Sequence, residues 1–281
     1  MEPAPAVVVA PRPAAELLDA ALVGAGLLGG TANVVMQLAR PGVGYGVVES
    51  TVDSGRLFKH PVKRTRTTLT YLAVAAIGTD EERRAYRRAV DRSHVQVRST
   101  AASPVRYNAF DQDLQLWVAA CLYRGFADTH RMFLGPLTPA EAEALYQGCA
   151  RMGTTLQLRP ERWPADLAAF ERYWAAELAN VHIDDAVREH LDQITRLRYL
   201  PRPLSVLFGP LHRFIAAGYL PAPFREQMRL DWSTAQQRRF DRLIRATALL
   251  TRVTPRPLRR FPFNAMLWDV RWRIRTGRPL V

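Results

Sequence analysis

Lysine and cysteine are nearly missing from this chain: Lys59 and Lys63 are its two lysines, Cys121 and Cys149 its two cysteines. Two isolated thiols, without C-x-x-C or paired Cys/His spacing, exclude a structural zinc site, a cysteine-held iron–sulfur cluster and a secreted disulfide scaffold, and they fit a reducing, cytoplasmic setting. Strand-like alternation is scarce. The sequence also lacks G-x-S-x-G, a Walker loop, H-E-x-x-H and a G-x-G-x-x-G in a strand-turn-helix setting, so the common nucleophile, nucleotide and zinc-protease chemistries are unsupported. His182 with Asp184 and Asp185, and His130 with Asp128, read as solvated near neighbours rather than as metal ligands. The one long uncharged stretch, residues 20–39, carries Gly24, Gly26, Gly29, Gly30, Asn33 and Gln37, too weakly hydrophobic for a membrane span, and reads as buried. The N-terminus, MEPAPAVVVAPRPA, has no basic region before its short apolar run; residues 1–13 read as a disordered or extended lead rather than a signal peptide.

What is present is a 281-residue chain dominated by alanine, leucine and arginine. Its long segments repeat near 3.6 residues, which makes the class all-α, with residues 14–281 forming a single multi-helix domain without internal repeats. The formal net charge is +13. Between Arg238 and Val281 twelve arginines face two aspartates, within a basic C-terminal helical segment at 234–281. No helix-turn-helix, zinc-finger or RNA-binding signature accompanies this charge, so no nucleic-acid partner is expected. Two readings of the tail stay open: its Leu258, Phe261, Phe263, Leu267, Trp268, Trp272 and Ile274, interleaved with arginines, rest on anionic lipid as a peripheral membrane contact, or they pack on the core while the arginines are solvated.

Local signals order the helices. Residues 14–39 form one or two, broken at Gly29-Gly30, and Pro41-Gly42-Val43-Gly44-Tyr45-Gly46 makes a turn or broken segment leading to Glu49. Helices are expected over 64–77 and 80–98, then from an Asp111 N-cap to about Leu134. Thr138, Pro139 and Glu141 spell a capping box, with Gly153 at the exit. Further helices fall near 164–180, 183–197, 202–218, 234–251 (capped by Ser233) and 258–274.

The 80–98 segment carries the chemistry. Arg83, Arg84, Arg87, Arg88 and Arg92 face water, while Tyr86, Ala89, Val90, His94 and Val97 form the opposite stripe. An imidazole on such a stripe is either hydrogen-bonded to a neighbour or bound to something. Four residues separate Arg64 from Thr68, which places both on one helix face beside Thr67.

The segments LLGGTANVVMQLARPGVGYGVVES, RTTLTYLAVAAIGTDEE, AVDRSHVQV and YNAFDQDLQLWVAACL resemble the catalytic domains of rubber oxygenases (latex-clearing proteins) and MpaB-type oxygenases, over most of residues 15–230. The resemblance implies an all-helical, globin-like core around haem b, with the histidine of the H-x-x-V helix, His94 here, as proximal iron ligand. It places Arg64 and Thr68 beside the distal pocket, with Thr67 where the rubber-cleaving enzymes have a lysine able to cap the iron. An acidic residue upstream of the arginine corresponds to Glu49, which would move a proton if burial raised its pKa; pairing with Arg64 or capping a backbone end is the equal alternative. If His94 binds iron through one ring nitrogen, the other N–H needs an acceptor, for which the Val90 carbonyl is in reach. Ala39-Arg40-Pro41 and Trp117-Val118-Ala119 stand where many relatives read A-H-P and W-V-H, so those histidines are not required here. The implied function is a haem b-dependent oxygenase activating dioxygen on an apolar, isoprenoid or lipid-like substrate. Its competitors are a non-catalytic haem-binding sensor or carrier and a cofactor-free lipid-binding helical protein at the membrane surface.

Overall fold

The computed structural model describes residues 10–281, and among them every regular element is helical. In chain order the α-helices are α1 (Ala14–Ala21), α2 (Gly30–Leu38), α3 (Pro41–Val48), α4 (Pro61–Ile77), α5 (Asp80–His94), α6 (Gln112–Thr129) and α7 (Pro139–Thr154). They continue with α8 (Leu167–Glu177), α9 (Asp185–Thr195), α10 (Arg202–Tyr219), α11 (Ala222–Gln227), α12 (Thr234–Val253), α13 (Arg256–Arg259) and α14 (Phe263–Arg275). The lead expected at 1–13 lies outside the described residues up to position 9. Of its last residues, Arg12 is tied to the Glu141 carboxylate at 2.7 Å.

The helices start where side chains can satisfy their free N–H groups. Thr79, Thr138 and Ser233 each form a capping box with Glu82, Glu141 and Gln236, and Asp111 accepts from the N–H groups of Asp113 and Leu114. A smaller cluster of Val23, Phe133, Phe240, Ile244 and Ala248 seats α12, and the main core fills the body of the molecule. At its centre the Trp117 indole is fully buried, donates to the Met36 and Gln37 carbonyls at 3.1 Å each, and stacks on Trp174 with centroids 5.0 Å apart. α6 packs on α7, α7 on α1, and α14 on α4.

Four expectations are corrected. Residues 41–48 are a helix, not a turn: Pro41 supplies a preset first position, and glycine at 44 is required because a Cβ there would sit 2.6 Å from the Leu38 carbonyl. The helix bearing His94 stops at that residue instead of running to 98, and the chain folds back through a single antiparallel bridge between Arg98 and Asn108. The helix from Asp111 widens into a π-helical turn over His130–Leu134. At the C-terminus, residues 258–274 do not form one helix but divide between α13 and α14. Phe263, Leu267 and Val270 of α14 are buried, whereas Trp268 is exposed.

No single helix among the described residues is long and apolar enough to cross a membrane. α1 and Gly24–Leu38 together have the length and composition but are bent by 72° at their junction. Leu17, Leu18, Ala32 and Val35 of this pair are buried in the core, as the sequence reading of 20–39 requires. Gly29 is seated against the Tyr219 ring, so the glycine break serves helix packing.

Candidate functional site

Arg64, Thr67 and Thr68 lie in the first half of α4, and the helical spacing does bring arginine and threonine together: Arg64 Nη1 donates to Thr68 Oγ1 at 2.9 Å. Both hydroxyls donate back to the Arg64 carbonyl, Thr67 at 2.9 Å and Thr68 at 3.1 Å. α5 is clamped to this stretch by the buried Tyr86, whose hydroxyl donates to the Thr67 carbonyl at 2.6 Å. The Arg64 side chain keeps accessible area, yet burial among surrounding protein atoms lowers its pKa. Arg64 is thus an exposed residue whose charge is disfavoured by the protein atoms packed around it.

His94 ends α5, half-buried, within the electrostatic reach of Arg64. Burial lowers its pKa, as does Arg64, against the opposing pull of a hydrogen bond to Gln157 and of Asp91. The imidazole is therefore neutral at pH 7, and its tautomer follows from a chain of contacts. Gln157 Nε2 donates to Asp91 Oδ1 at 2.5 Å, which fixes the amide so that Oε1 points the other way. That oxygen accepts from Gln115 Nε2 at 2.7 Å and lies 3.0 Å from His94 Nδ1. A carbonyl oxygen only accepts, so the proton sits on Nδ1 and Nε2 carries the lone pair. Nε2 has no hydrogen-bond partner among the described residues and is not sealed from solvent. The Phe110 ring meets the imidazole edge-on at 6.3 Å.

The acceptor of Nδ1 is thus Gln157, not the Val90 carbonyl. Sequence reasoning missed Gln157, Gln115 and Asp91 as members of the site. Asp91 stands three residues before His94 and was within reach of helical spacing, whereas Gln157 is 63 residues away and left no local signal.

Glu49 caps the C-terminal end of α3, and its Oε2 accepts from Ser103 at 2.6 Å and Tyr107 at 2.7 Å. Among the described residues no hydrogen bond or ion pair joins it to Arg64. Its helix, α3, packs at Gly46 against Val97 and Tyr107. Elsewhere Asp184 caps α9 and accepts from Tyr45, whose pKa that bond pushes up to about 12, and Asp128 pairs with Arg131. Both acids are thus engaged without a metal. Cys121 and Cys149 are free thiols buried in the core, and burial pushes both pKa values up.

Among the described residues no three His, Cys, Asp or Glu side chains converge as a metal site. A lone basic nitrogen beside a cation suits a metal that arrives with its other ligands in place, as in a porphyrin, and not a bare ion. Two open clefts flank the region. One, of about 580 Å³, is lined by His60, Lys63, Arg66 and Arg273; the other, of about 730 Å³, by Arg92, Ser93, Gln96 and Arg278. Neither is lined by Arg64, Thr68 or His94, so the site is defined by side-chain chemistry rather than by cavity shape.

The site is thus one imidazole nitrogen without a protein partner among the described residues, within electrostatic reach of a guanidinium, in an all-helical domain. Over residues 20–249 the chain matches the family described as ER-bound oxygenase mpaB/B'/rubber oxygenase, catalytic domain, and it belongs to that family. It is similar to two uncharacterized proteins, Mb2261 of Mycobacterium bovis and Rv2237 of Mycobacterium tuberculosis. Each is 54% identical over 250 residues, which cover 89% of this chain and 98% of the relative. No solved structure matches.

Proposed function

We propose that the protein is a haem b-dependent oxygenase whose globin-like core holds the cofactor through His94 and which acts on an apolar, isoprenoid or lipid-like substrate. The observation that carries this reading is the His94 tautomer: a neutral imidazole with Nδ1–H bound to Gln157 presents Nε2 as a donor to iron. Haem b, when bound, supplies the binding and activation of dioxygen.

The chain's own residues do the rest. Arg64 and Thr68, already hydrogen-bonded to each other, present a positive charge and a hydroxyl on one face of α4. Thr67 offers no amine, so the protein has no lysine side chain there to cap an iron. Glu49, with Tyr107 and Ser103 donating to it, is the acid assigned to proton handling on this side of the fold. The apolar stretches of α3 and α4 exclude water, and family membership supports dioxygen as co-substrate.

The test is an ultraviolet–visible spectrum of protein expressed with ample iron and haem precursor, recorded oxidised, reduced and with carbon monoxide. The wild type is expected to carry about one haem per chain with a histidine-ligated spectrum, and His94→Ala to lose it. A colourless wild type, or a His94→Ala protein that keeps stoichiometric haem and an unchanged spectrum, overturns the assignment.

A further inference from the structure

The outward face of α12 is divided along its length. At about 100° per residue, Arg238, Arg239, Arg242, Arg245, Ala246, Leu249, Leu250 and Val253 fall within an arc of about 140°. The opposite side is buried through Phe240, Ile244, Ala248 and Thr251. The four arginines occupy the first half of this face and the aliphatic residues the last. Leu249 and Leu250 are each 66% exposed and Val253 78%, and the chain that follows adds the exposed Leu258 and Phe261. Solvated aliphatics at such exposure, gathered at one end of a helix, are a contact surface waiting for an apolar medium.

The charge beside them identifies that medium. Among the described residues none of the four arginines meets a carboxylate: Arg242 and Arg245 donate back to carbonyls of their own helix. The one acid on this half of the helix, Asp241, is engaged by Gln237 at 2.8 Å. In α14, by contrast, Arg271 pairs with Glu82 and Arg273 with Asp269, and just beyond its end Arg278 covers Trp272. A nucleic acid would use the arginines and leave the aliphatic end in water, whereas an anionic bilayer uses both. Along the helix axis the basic half spans about 10 Å and the aliphatic end about 6 Å.

We propose that α12 docks the protein on an anionic lipid bilayer, with Leu249, Leu250, Val253 and the Leu258–Phe261 turn inserted and Arg238, Arg239, Arg242 and Arg245 at the phosphates. This contact lies earlier in the chain than the aromatic tail helix, which is spent on α4. It does not depend on the identity of the cofactor.

Co-sedimentation of the full chain with phosphatidylcholine vesicles, with and without phosphatidylserine, tests it, with tRNA and duplex DNA titrated in parallel. The wild type is expected to bind the phosphatidylserine vesicles and to be released by salt. Removing the four arginines as glutamines weakens partition roughly five-fold per charge. Leu249→Glu/Leu250→Glu/Val253→Glu abolishes it while circular dichroism and the melting curve stay unchanged, all three positions being exposed. Leu207→Glu/Phe208→Glu, on the other exposed apolar face, that of α10, leaves binding intact. The proposal is overturned if the wild type ignores the vesicles, if the α10 variant abolishes binding while the α12 variants do not, or if the arginine variant loses only nucleic-acid binding.

Discussion

One amide orientation decides what His94 can do. Gln157 is pinned by Asp91 on its nitrogen and by Gln115 on its oxygen, so it can offer the imidazole nothing but an acceptor. Replacing it with leucine removes that acceptor and strands two buried polar partners, at a stability cost of about 1–3 kcal/mol. In haem-free protein, the nitrogen-15 shifts of the His94 ring are expected to report a single Nδ1–H tautomer for the wild type and a mixture for Gln157→Leu. Gln157→Glu keeps an acceptor for Nδ1 while setting a carboxyl against Asp91, so it is expected to retain the Nδ1–H tautomer at a cost in stability. An unchanged ring spectrum in Gln157→Leu would show that the tautomer is set by something other than this amide. His94 stood out in the sequence because it lies on a stripe of period 3.6, and Arg64 and Thr68 because they are four apart. The glutamine that orients the ligand comes from the chain after α7, and no periodicity links it to α5.

Helix starts were the most legible elements, because a cap is decided within four residues. Thr138, Pro139 and Glu141 behave as their spacing requires. The Glu141 carboxyl is held at about 2, against an ordinary 4.5, first by the Arg12 guanidinium and then by the Thr138 N–H. A lowered folded-state pKa contributes stability above the unfolded value and loses it as pH falls through the folded one. Glu141→Gln is accordingly expected to lower Tm at pH 7, with the difference from wild type shrinking between pH 4.5 and 2; a difference that stays constant over that window would refute the linkage. Helix α3 was misread because its three glycines look like breakers when only the local chain is seen. Their purpose is close approach to other helices, which is a tertiary fact. Helix α14 was read with two outcomes open. Its burial of Phe263, Leu267 and Val270, together with the Arg66–Asp269 pair at 3.5 Å, makes it a brace behind the helix that carries Arg64. Leu267→Ala is expected to cost about 2–5 kcal/mol in urea unfolding. If α14 braces the site, the same variant also reduces haem retention in the expressed protein, which a pigment-to-protein absorbance ratio would reveal.

Across the whole molecule, the all-α class and single domain were readable from composition and period alone. The distribution of charge was only half readable: counting gives +13, but not which arginines are neutralised. In the fold, α14 pairs Arg271 with Glu82 and Arg273 with Asp269, while Arg238, Arg239, Arg242 and Arg245 of α12 meet no carboxylate among the described residues, so the unneutralised basic surface is narrower than the sequence suggests. The clamp on His94 also has a consequence for biogenesis. Its imidazole comes from α5 and its supporting amides from α6 and from the segment after α7. A nascent chain that has released only the first hundred residues from the ribosome holds the ligand with neither tautomer enforced. On the proposed reading, haem uptake then belongs after synthesis rather than during it, and cells starved of porphyrin are expected to accumulate folded, colourless protein that haem added later would load.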